Sequence, residues 1–509
     1  MQISAPKQMV PLPFDSLKQA QHSPKLDFVA VGTLFGIIVV YLGLVPLGQW
    51  QSDEYDYFGK LRHGIGSAVA ARLWWSPRPV SEFLYGAYGL LANYFHRPFI
   101  GSFLACLWLG LLLCACATAI QGCLGKRTTP LPDLLIGLGL AAAFVTSGPL
   151  FQVFYWPAGA VAYLPTLSVT LLLFLQVSSG ALSTPRGRWL CGVCLMVAAL
   201  STEIGAILAV CFGFLEIADA SLSPRGKGRA YPGTILWWLL PVIAGVAVLW
   251  WAAAHRIPVP GSGLSVGLGQ GEDATTRATA AARELVLELL GFSTQAKQPL
   301  SAIPTLLSRV LIGVGVALLW SRRNGGSSTE GKRTQRQLIM LACALIGACF
   351  GALFATYPQF GLAGSERYET LRRCWMLMTF PAVAGVVLQA HRGRRLLPNL
   401  SPSFGPILLI IGVLLPWHVS PLQREYPVYS AVLRATRRNF QSGYQRDAQQ
   451  MTFVVPPNRG VITPQTLEPG AYTPTAPPTQ NNYAGNVLAY FGKEVLVVRK
   501  SSDAAQPPH

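Results

Sequence analysis

Long apolar runs separated by short polar stretches occupy the chain from residue 28 to residue 418. A helix needs roughly 20 mostly apolar residues to cross the hydrocarbon core of a bilayer, and most of the runs approach or reach that length. The pattern therefore predicts an all-α polytopic membrane protein with about 11 transmembrane helices. They are expected near residues 28–47, 99–121, 133–151, 158–179, 188–200, 204–219, 234–254, 302–320, 337–357, 374–390 and 403–418.

The composition agrees with that class. Hydrophobic residues make up 51% of the 509 residues, charged residues 12%, and the mean hydropathy of +0.39 is too high for an ordinary soluble domain. The net charge of +18 comes from Lys and Arg in short clusters between apolar runs, where orientation signals lie, so we expect no nucleic-acid partner. Cys191 and Cys194 form a CxxC inside an apolar run and are expected to be small packing residues.

The basic clusters predict the direction of the helices, because cytoplasmic loops carry an excess of Lys and Arg. The clusters can all face one side only if an even number of crossings separates them. Residues 188–219 are therefore expected to form a hairpin of two short helices turning near Thr202, although one long helix is the alternative. The clusters are Lys126-Arg127, Arg186 with Arg188, Arg225 with Lys227 and Arg229, Arg322-Arg323 with Lys332-Arg333, and Arg392 with Arg394-Arg395.

Three regions follow from this topology. Residues 1–27 are expected to form a cytoplasmic N-terminus without a cleavable signal. Residues 28–418 form the transmembrane domain, with a first outer loop at 48–98 and a second large outer loop at 255–301. Residues 419–509 are expected to form an extracytoplasmic, Pro-rich tail with short strands.

Local patterns predict elements inside the outer segments. Residues 80–95, VSEFLYGAYGLLANYF, are amphipathic but too short and polar to cross, so we expect a helix along the membrane interface. The stretch ATTRATAAARELVLELLG predicts a helix in the second large loop. In the tail, NVLAYFGKEVLVVRK predicts a hairpin or two short strands.

Three carboxylates stand where the first helix leaves the membrane, in the stretch SDEYDYF: Asp53, Glu54 and Asp56. A solvated loop start is one interpretation. The aromatic residues between and around the carboxylates favour another, in which they are covered by the helices that follow. A carboxylate in such a position can accept the proton of an attacking hydroxyl group.

Cations on the same predicted side complete a candidate site. The proline after Arg78 holds that residue extended, although contact with lipid headgroups is the alternative. Arg367, Arg372 and Arg373 break the positive-inside pattern, which phosphate binding would explain. Neutralisation of these three by neighbouring glutamates is the alternative.

Three further residues are candidates for substrate contacts. Glu203 follows the predicted turn at Thr202, where an ionisable side chain at membrane depth usually lines a cavity. Trp156 and Tyr163 could stack on a sugar ring, although anchoring at the membrane interface is the commoner role of such aromatic residues.

These motifs resemble the GT-C superfamily of integral-membrane glycosyltransferases. The similarity rests on the DE pair after the first helix, on WWSPRPVSEF in the first outer loop, and on FYWPAGAVAYLPTL followed by LSTEIG. It covers the layout of residues 28–418 but only these short motifs in sequence, and the tail has no counterpart in it.

The resemblance implies a donor sugar carried on a polyprenyl phosphate and displaced with inversion. It makes Asp53 the first candidate for the catalytic base and Glu54 the second, with Asp56 orienting an arginine or a metal. No cofactor is certain, although some members of the superfamily use a divalent cation, Mg²⁺ or Mn²⁺, in this loop.

The resulting hypothesis is a glycosyltransferase of the bacterial inner membrane. It would transfer a sugar to a cell-envelope glycan, lipid or protein on the extracytoplasmic side, in contact with membrane lipid. Two alternatives remain open at this point, a transporter or flippase of lipid-linked saccharides and an envelope glycan polymerase or ligase.

Overall fold

The computed structural model of the chain describes most of its length. The described residues are 24–124, 130–147, 150–222, 232–255, 273–292, 302–323, 329–360, 366–392, 402–416, 419–455, 467–474 and 482–500.

Each of the 11 predicted apolar runs contains a helix. The helices are α1 Pro24–Leu42, α5 Ile100–Leu124, α6 Leu131–Thr146, α7 Pro157–Ser178, α8 Pro185–Ser201, α9 Glu203–Leu222, α10 Pro232–His255, α12 Ala302–Arg323, α13 Thr329–Phe360, α14 Glu366–Arg392 and α15 Gly405–Leu414. The prediction of an all-α polytopic membrane protein is confirmed.

Among the described residues, 8 helices are long and apolar enough to cross a membrane, against the predicted 11. They are α1, α5, α7, α9, α10, α12, α13 and α14. The other three predicted spans are helices of only 16, 17 and 10 residues, namely α6, α8 and α15. At a rise of about 1.5 Å per residue, the longest of these three reaches about 26 Å, short of the roughly 30 Å of a hydrocarbon core.

The helix break near Thr202 lies where the sequence predicts it. Thr202 is extended, with φ −150° and ψ 152°, and its Oγ1 accepts a hydrogen bond from the Gly205 amide at 3.0 Å. This contact supplies one of the acceptors that a helix N-terminus needs. The two helices differ from the predicted pair of short ones, however, because α9 has 20 residues and α8 has 17.

The two predicted outer loops add shorter helices beside the bundle. The first outer loop contains α2 Ser52–His63, α3 Ile65–Trp75 and α4 Pro79–Phe95, and the second contains α11 Ala274–Leu289. Trp74, Phe83 and Tyr94 expose 57%, 61% and 79% of their surface on α3 and α4. Large exposed aromatic side chains on amphipathic helices are typical of a membrane interface.

The helices alternate in direction, so their connections lie at two ends of the bundle. The Trp251 indole of α10 donates to the Trp74 carbonyl of α3 at 3.1 Å, which places the end of α10 beside the first outer loop. At the other end, the Trp320 indole of α12 donates to the Ser178 carbonyl of α7 at 2.8 Å. We refer to these as the α2 end and the opposite end.

The basic clusters that fall within the described residues lie at the opposite end. Arg186 and Arg188 are in the first turn of α8, and Lys332 and Arg333 are near the start of α13. Arg322 pairs there with Asp27 of α1, with 3.2 Å between Nη1 and Oδ1. The clusters at 126–127, 225–229 and 394–395 lie outside the described residues.

The tail is a small α/β module at the α2 end. Its elements are α16 Val419–Gly443, β1 Gln450–Val455, β2 Gly470–Tyr472, α17 Asn482–Phe491 and β3 Val495–Lys500. The sheet order is β1-β3-β2, with β1 parallel and β2 antiparallel to β3. Asn439 of α16 exchanges hydrogen bonds of 2.6 and 3.0 Å with the backbone of Val454, which protects the outer edge of β1.

One tail prediction is wrong. NVLAYF forms the end of α17 rather than a strand, and only VLVVRK forms the strand β3. The helix is followed by Gly492, whose φ of +66° lies in the left-handed region that glycine adopts without strain. Val487, Leu488 and Tyr490 are buried, so this short apolar run packs as one face of a helix.

Candidate functional site

The Glu54 carboxylate joins the N-termini of two helices. Its Oε2 accepts the Gln51 amide, which precedes α2, at 2.7 Å, and the Trp156 indole at 3.0 Å. Its Oε1 accepts the Ala158 amide in the first turn of α7 at 2.9 Å. Both helix dipoles direct their positive ends at this group. Glu54 is 0% exposed.

Burial raises the pKa of the Glu54 carboxyl to about 8, and the negative charge of Asp53 acts in the same direction. The three N–H donors lower the pKa, since they stabilise the carboxylate form. The geometry therefore gives Glu54 a positioning role, because every donor it binds belongs to the protein.

The two neighbouring carboxylates differ from Glu54 and from each other. Adjacent residues of a helix project about 100° apart, so Asp53 is exposed although its neighbour Glu54 is buried. Among the described residues it makes no hydrogen bond or ion pair. Asp56 is bound by Lys60 one turn later, at 2.7 Å between Oδ2 and Nζ. Asp53 is thus the carboxylate of the three that is exposed and makes no hydrogen bond or ion pair within the described ranges.

Trp156 links Glu54 to the late arginine segment. The Arg367 guanidinium lies over the Trp156 ring and over the Tyr368 ring, with Cζ 5.8 Å from each centroid. Tyr368 meets Tyr163 edge to face, with centroids 5.8 Å apart. The structure therefore brings residues from α2, from the start of α7 and from α14 into one continuous cluster, although Glu54 and Tyr368 are 314 positions apart in sequence.

Arg78 and Glu203 form an ion pair beside this cluster. The Arg78 Nε lies 2.9 and 2.8 Å from the two carboxylate oxygens, and its Nη2 lies 2.6 Å from Oε2. Their side chains are 12% and 11% exposed. The pair fixes the first outer loop to the start of α9, and each residue neutralises the charge of the other.

The other two late arginines have partners elsewhere. Arg372 is 0% exposed and binds the Glu288 carboxylate of α11, with Nη2 2.6 Å from Oε1. Arg373 pairs with Glu369 one turn earlier at 2.5 Å. The structure does not bring these two guanidinium groups to the Asp53 side. Glutamate neutralisation of Arg373 is the alternative that the sequence left open, whereas the partner of Arg372 comes from the second large outer loop.

A second group of side chains lies next to α2. Arg72 pairs with Glu82 at 3.0 Å and lies over the stacked rings of Tyr57 and Tyr85. The hydroxyl groups of both tyrosines are buried and make no hydrogen bond to a described residue. The negative charge of Asp53 acts on Arg72 and Tyr85, so this group borders the candidate base.

The tail module contacts the start of α2. The Tyr483 hydroxyl donates to the Trp50 carbonyl at 3.0 Å, and the Asn486 amide donates to Ser52 Oγ at 2.8 Å. The Trp50 ring packs edge to face on Phe440 of α16, with centroids 4.9 Å apart. This contact could not be predicted from sequence, because the residues that make it are more than 380 positions apart.

The acidic loop does not fit a divalent cation. Glu54 binds protein N–H groups, and Asp56 binds Lys60, which leaves Asp53 as the remaining oxygen donor of the three. Within the described ranges no group of three His, Cys, Asp or Glu side chains could hold a metal ion.

Fold and site together define a multi-pass, all-α membrane protein with a polar cluster at one end of its helix bundle. Comparison of the chain with protein-family models, with curated proteins and with solved structures finds no match.

The different roles of Glu54 and Asp53 can be tested by comparing the stabilities of variants in which each carboxyl group is replaced by an amide. In Glu54→Gln the new amide faces N–H donors, and each donor left without an acceptor costs about 1–3 kcal/mol. We expect a clear fall in the unfolding temperature of the detergent-purified protein. Asp53→Asn changes an exposed group and should cost no more than about 0.5 kcal/mol. Equal losses in the two variants would contradict the assignment.

The Arg78–Glu203 pair should show strong coupling in a double-mutant cycle. Removing one partner of a buried pair costs about 3–5 kcal/mol, because the other charge is left unpaired. We expect Arg78→Met and Glu203→Met each to destabilise the protein, and the double variant to be more stable than the sum of the two losses. Additive losses in thermal unfolding would show that the pair is not formed.

Proposed function

We propose that the chain is an integral-membrane glycosyltransferase that moves a sugar from a polyprenyl-phosphate donor to a cell-envelope glycan, lipid or protein. The observation that carries the proposal is the contrast within one helical turn of α2. Glu54 is buried and fixed at the junction of two helices, while its neighbour Asp53 is exposed and unpaired among the described residues.

In the proposed reaction, the Asp53 carboxylate accepts the proton of the acceptor hydroxyl as its oxygen attacks the anomeric carbon. The new C–O bond forms while the bond from that carbon to the phosphate oxygen breaks, with inversion. The polyprenyl phosphate leaves with the bonding electron pair. Arg367, at the same end of the bundle, supplies positive charge near the developing phosphate charge.

In this proposal the remaining polar residues keep the reacting groups and the covering loop in position. Trp156 contacts both Glu54 and Arg367. The Arg78–Glu203 pair fixes the loop that covers the cluster. Tyr163 lies behind Tyr368, and its hydroxyl is buried without a hydrogen bond to a described residue. An unsatisfied donor of this kind can bind a polar group of the substrate.

We assign the α2 end to the extracytoplasmic face of a bacterial plasma membrane, with the N-terminus in the cytoplasm and the tail module outside. The support is the separation of charges, since the described basic clusters lie at the opposite end. In this assignment the chain also crosses at α6, α8 and α15, each of which is by itself shorter than the hydrocarbon core, so that the total is 11 crossings.

Asp53→Asn should abolish transfer without unfolding the protein. Loss of a general base lowers a rate by about 10²–10⁴-fold. The assay uses purified protein in liposomes and a panel of radiolabelled polyprenyl-phosphate monosaccharides, and measures the release of sugar from the carrier. Asp56→Asn is the matched control, since its carboxylate is bound by Lys60, and it should keep nearly the wild-type rate.

Two results would count against the proposal. Wild-type turnover by Asp53→Asn would remove Asp53 from the mechanism. Movement of intact lipid-linked saccharide across the liposome membrane, without cleavage of any donor, would instead favour a transporter.

A further inference from the structure

A cavity of about 650 Å³ lies at the opposite end of the bundle, between the end of α5, the end of α7 and the start of α8. The 22 residues of α7 rise about 33 Å at 1.5 Å per residue. Because α7 begins beside Trp156 and ends at this cavity, the candidate site and the cavity are separated by about the thickness of a membrane. The cavity is therefore not part of the site described above.

The floor of the cavity is polar although it lies within the bundle. The Gln176 side chain, which is 1% exposed, donates to Gln121 Oε1 at 3.0 Å. Thr118 is 5% exposed, and its hydroxyl makes no hydrogen bond to a described residue. A buried hydroxyl without a partner is costly unless a ligand or water binds it.

The charge at the cavity is positive. Among its described lining residues Arg186 is the charged side chain, and none is acidic. Arg186 is in the first turn of α8, whose cap is Thr184, with Oγ1 accepting the Gly187 amide at 3.0 Å. A helix N-terminus with an arginine beside it favours an anion, and a guanidinium suits a phosphate in particular.

The mouth of the cavity is apolar. Leu124 and Trp189 both line it, and they expose 81% and 46% of their surface. Leu124 ends the membrane-length helix α5, and Trp189 is near the start of α8, where the hydrocarbon core meets water. A ligand that fills the cavity from this mouth therefore combines an anionic polar group with an apolar chain.

We propose that this cavity binds the headgroup of an anionic phospholipid, in the leaflet opposite the candidate active site. The phosphate lies against Arg186 and the start of α8, the headgroup oxygens accept from Thr118 and the glutamine amides, and the acyl chains leave past Leu124 and Trp189. This site is independent of the glycosyltransfer proposal.

The test is a lipid titration of the full-length protein in a neutral detergent, with bound lipid counted by native mass spectrometry. Wild-type protein should bind phosphatidylglycerol more tightly than phosphatidylcholine. Arg186→Gln should weaken phosphatidylglycerol binding by about tenfold or more, as expected for loss of a charge-assisted hydrogen bond. Thr118→Val, which has the same shape, should weaken it by about two- to tenfold.

The control is Lys25→Gln, which removes an exposed cation from the start of α1 at the same end of the bundle and should leave the affinity unchanged. Three results would overturn the proposal. They are equal affinity for the two lipids, an equal loss in Lys25→Gln and Arg186→Gln, and displacement of phosphatidylglycerol by an equal concentration of inorganic phosphate, which would indicate a site for a soluble anion.

Discussion

The arrangement at the α2 end depends on one buried carboxylate shared by two helix N-termini. A buried carboxyl group is stable only if its hydrogen bonds are met, and Glu54 meets them with the Gln51 amide, the Ala158 amide and the Trp156 indole. Two sets of backbone N–H groups that would otherwise lack acceptors gain one at the same time. The first outer loop is therefore locked to the membrane bundle at the point where its first helix begins.

This lock explains how neighbouring acidic residues acquire different properties. Because Glu54 must point inward to reach Ala158, helical geometry turns Asp53 outward, and Asp56 falls one turn later beside Lys60. The tail module adds a second constraint on the same turn, since Asn486 binds Ser52 directly before Asp53. In the proposed function, the exposed carboxylate is thus held by the contacts of its neighbours rather than by its own.

Much of the fold was predictable from sequence because its signals are local. Apolar runs predict helices wherever they lie, and the turn at Thr202 follows from the charge pattern. Whether α8 crosses the membrane was harder to predict, since a helix of 17 residues is near the lower limit of length for crossing a bilayer. The prediction of a strand at NVLAYF was wrong because a short apolar run fits either a strand or one face of a helix, and only its packing decides between them.

Several residues of the candidate site could be chosen from the sequence, but the ion pairs that they form could not. Glu54, Trp156, Tyr163 and Arg367 were chosen from short motifs, and the structure brings them together. Glu288 as the partner of Arg372 was not foreseen, because ion pairs between distant segments leave no periodic signal. A clue did exist, since Glu284 and Glu288 are one turn apart on an otherwise apolar face.

The central claim is that the Asp53 carboxylate faces the outside of the cell. Cysteine labelling of intact cells tests it most directly, with a membrane-impermeant maleimide and a background in which the native cysteines are replaced. We predict that Asp53→Cys reacts in intact cells and that Arg186→Cys reacts only after the cells are opened. Labelling of Arg186→Cys in intact cells, with Asp53→Cys protected until lysis, would contradict the account.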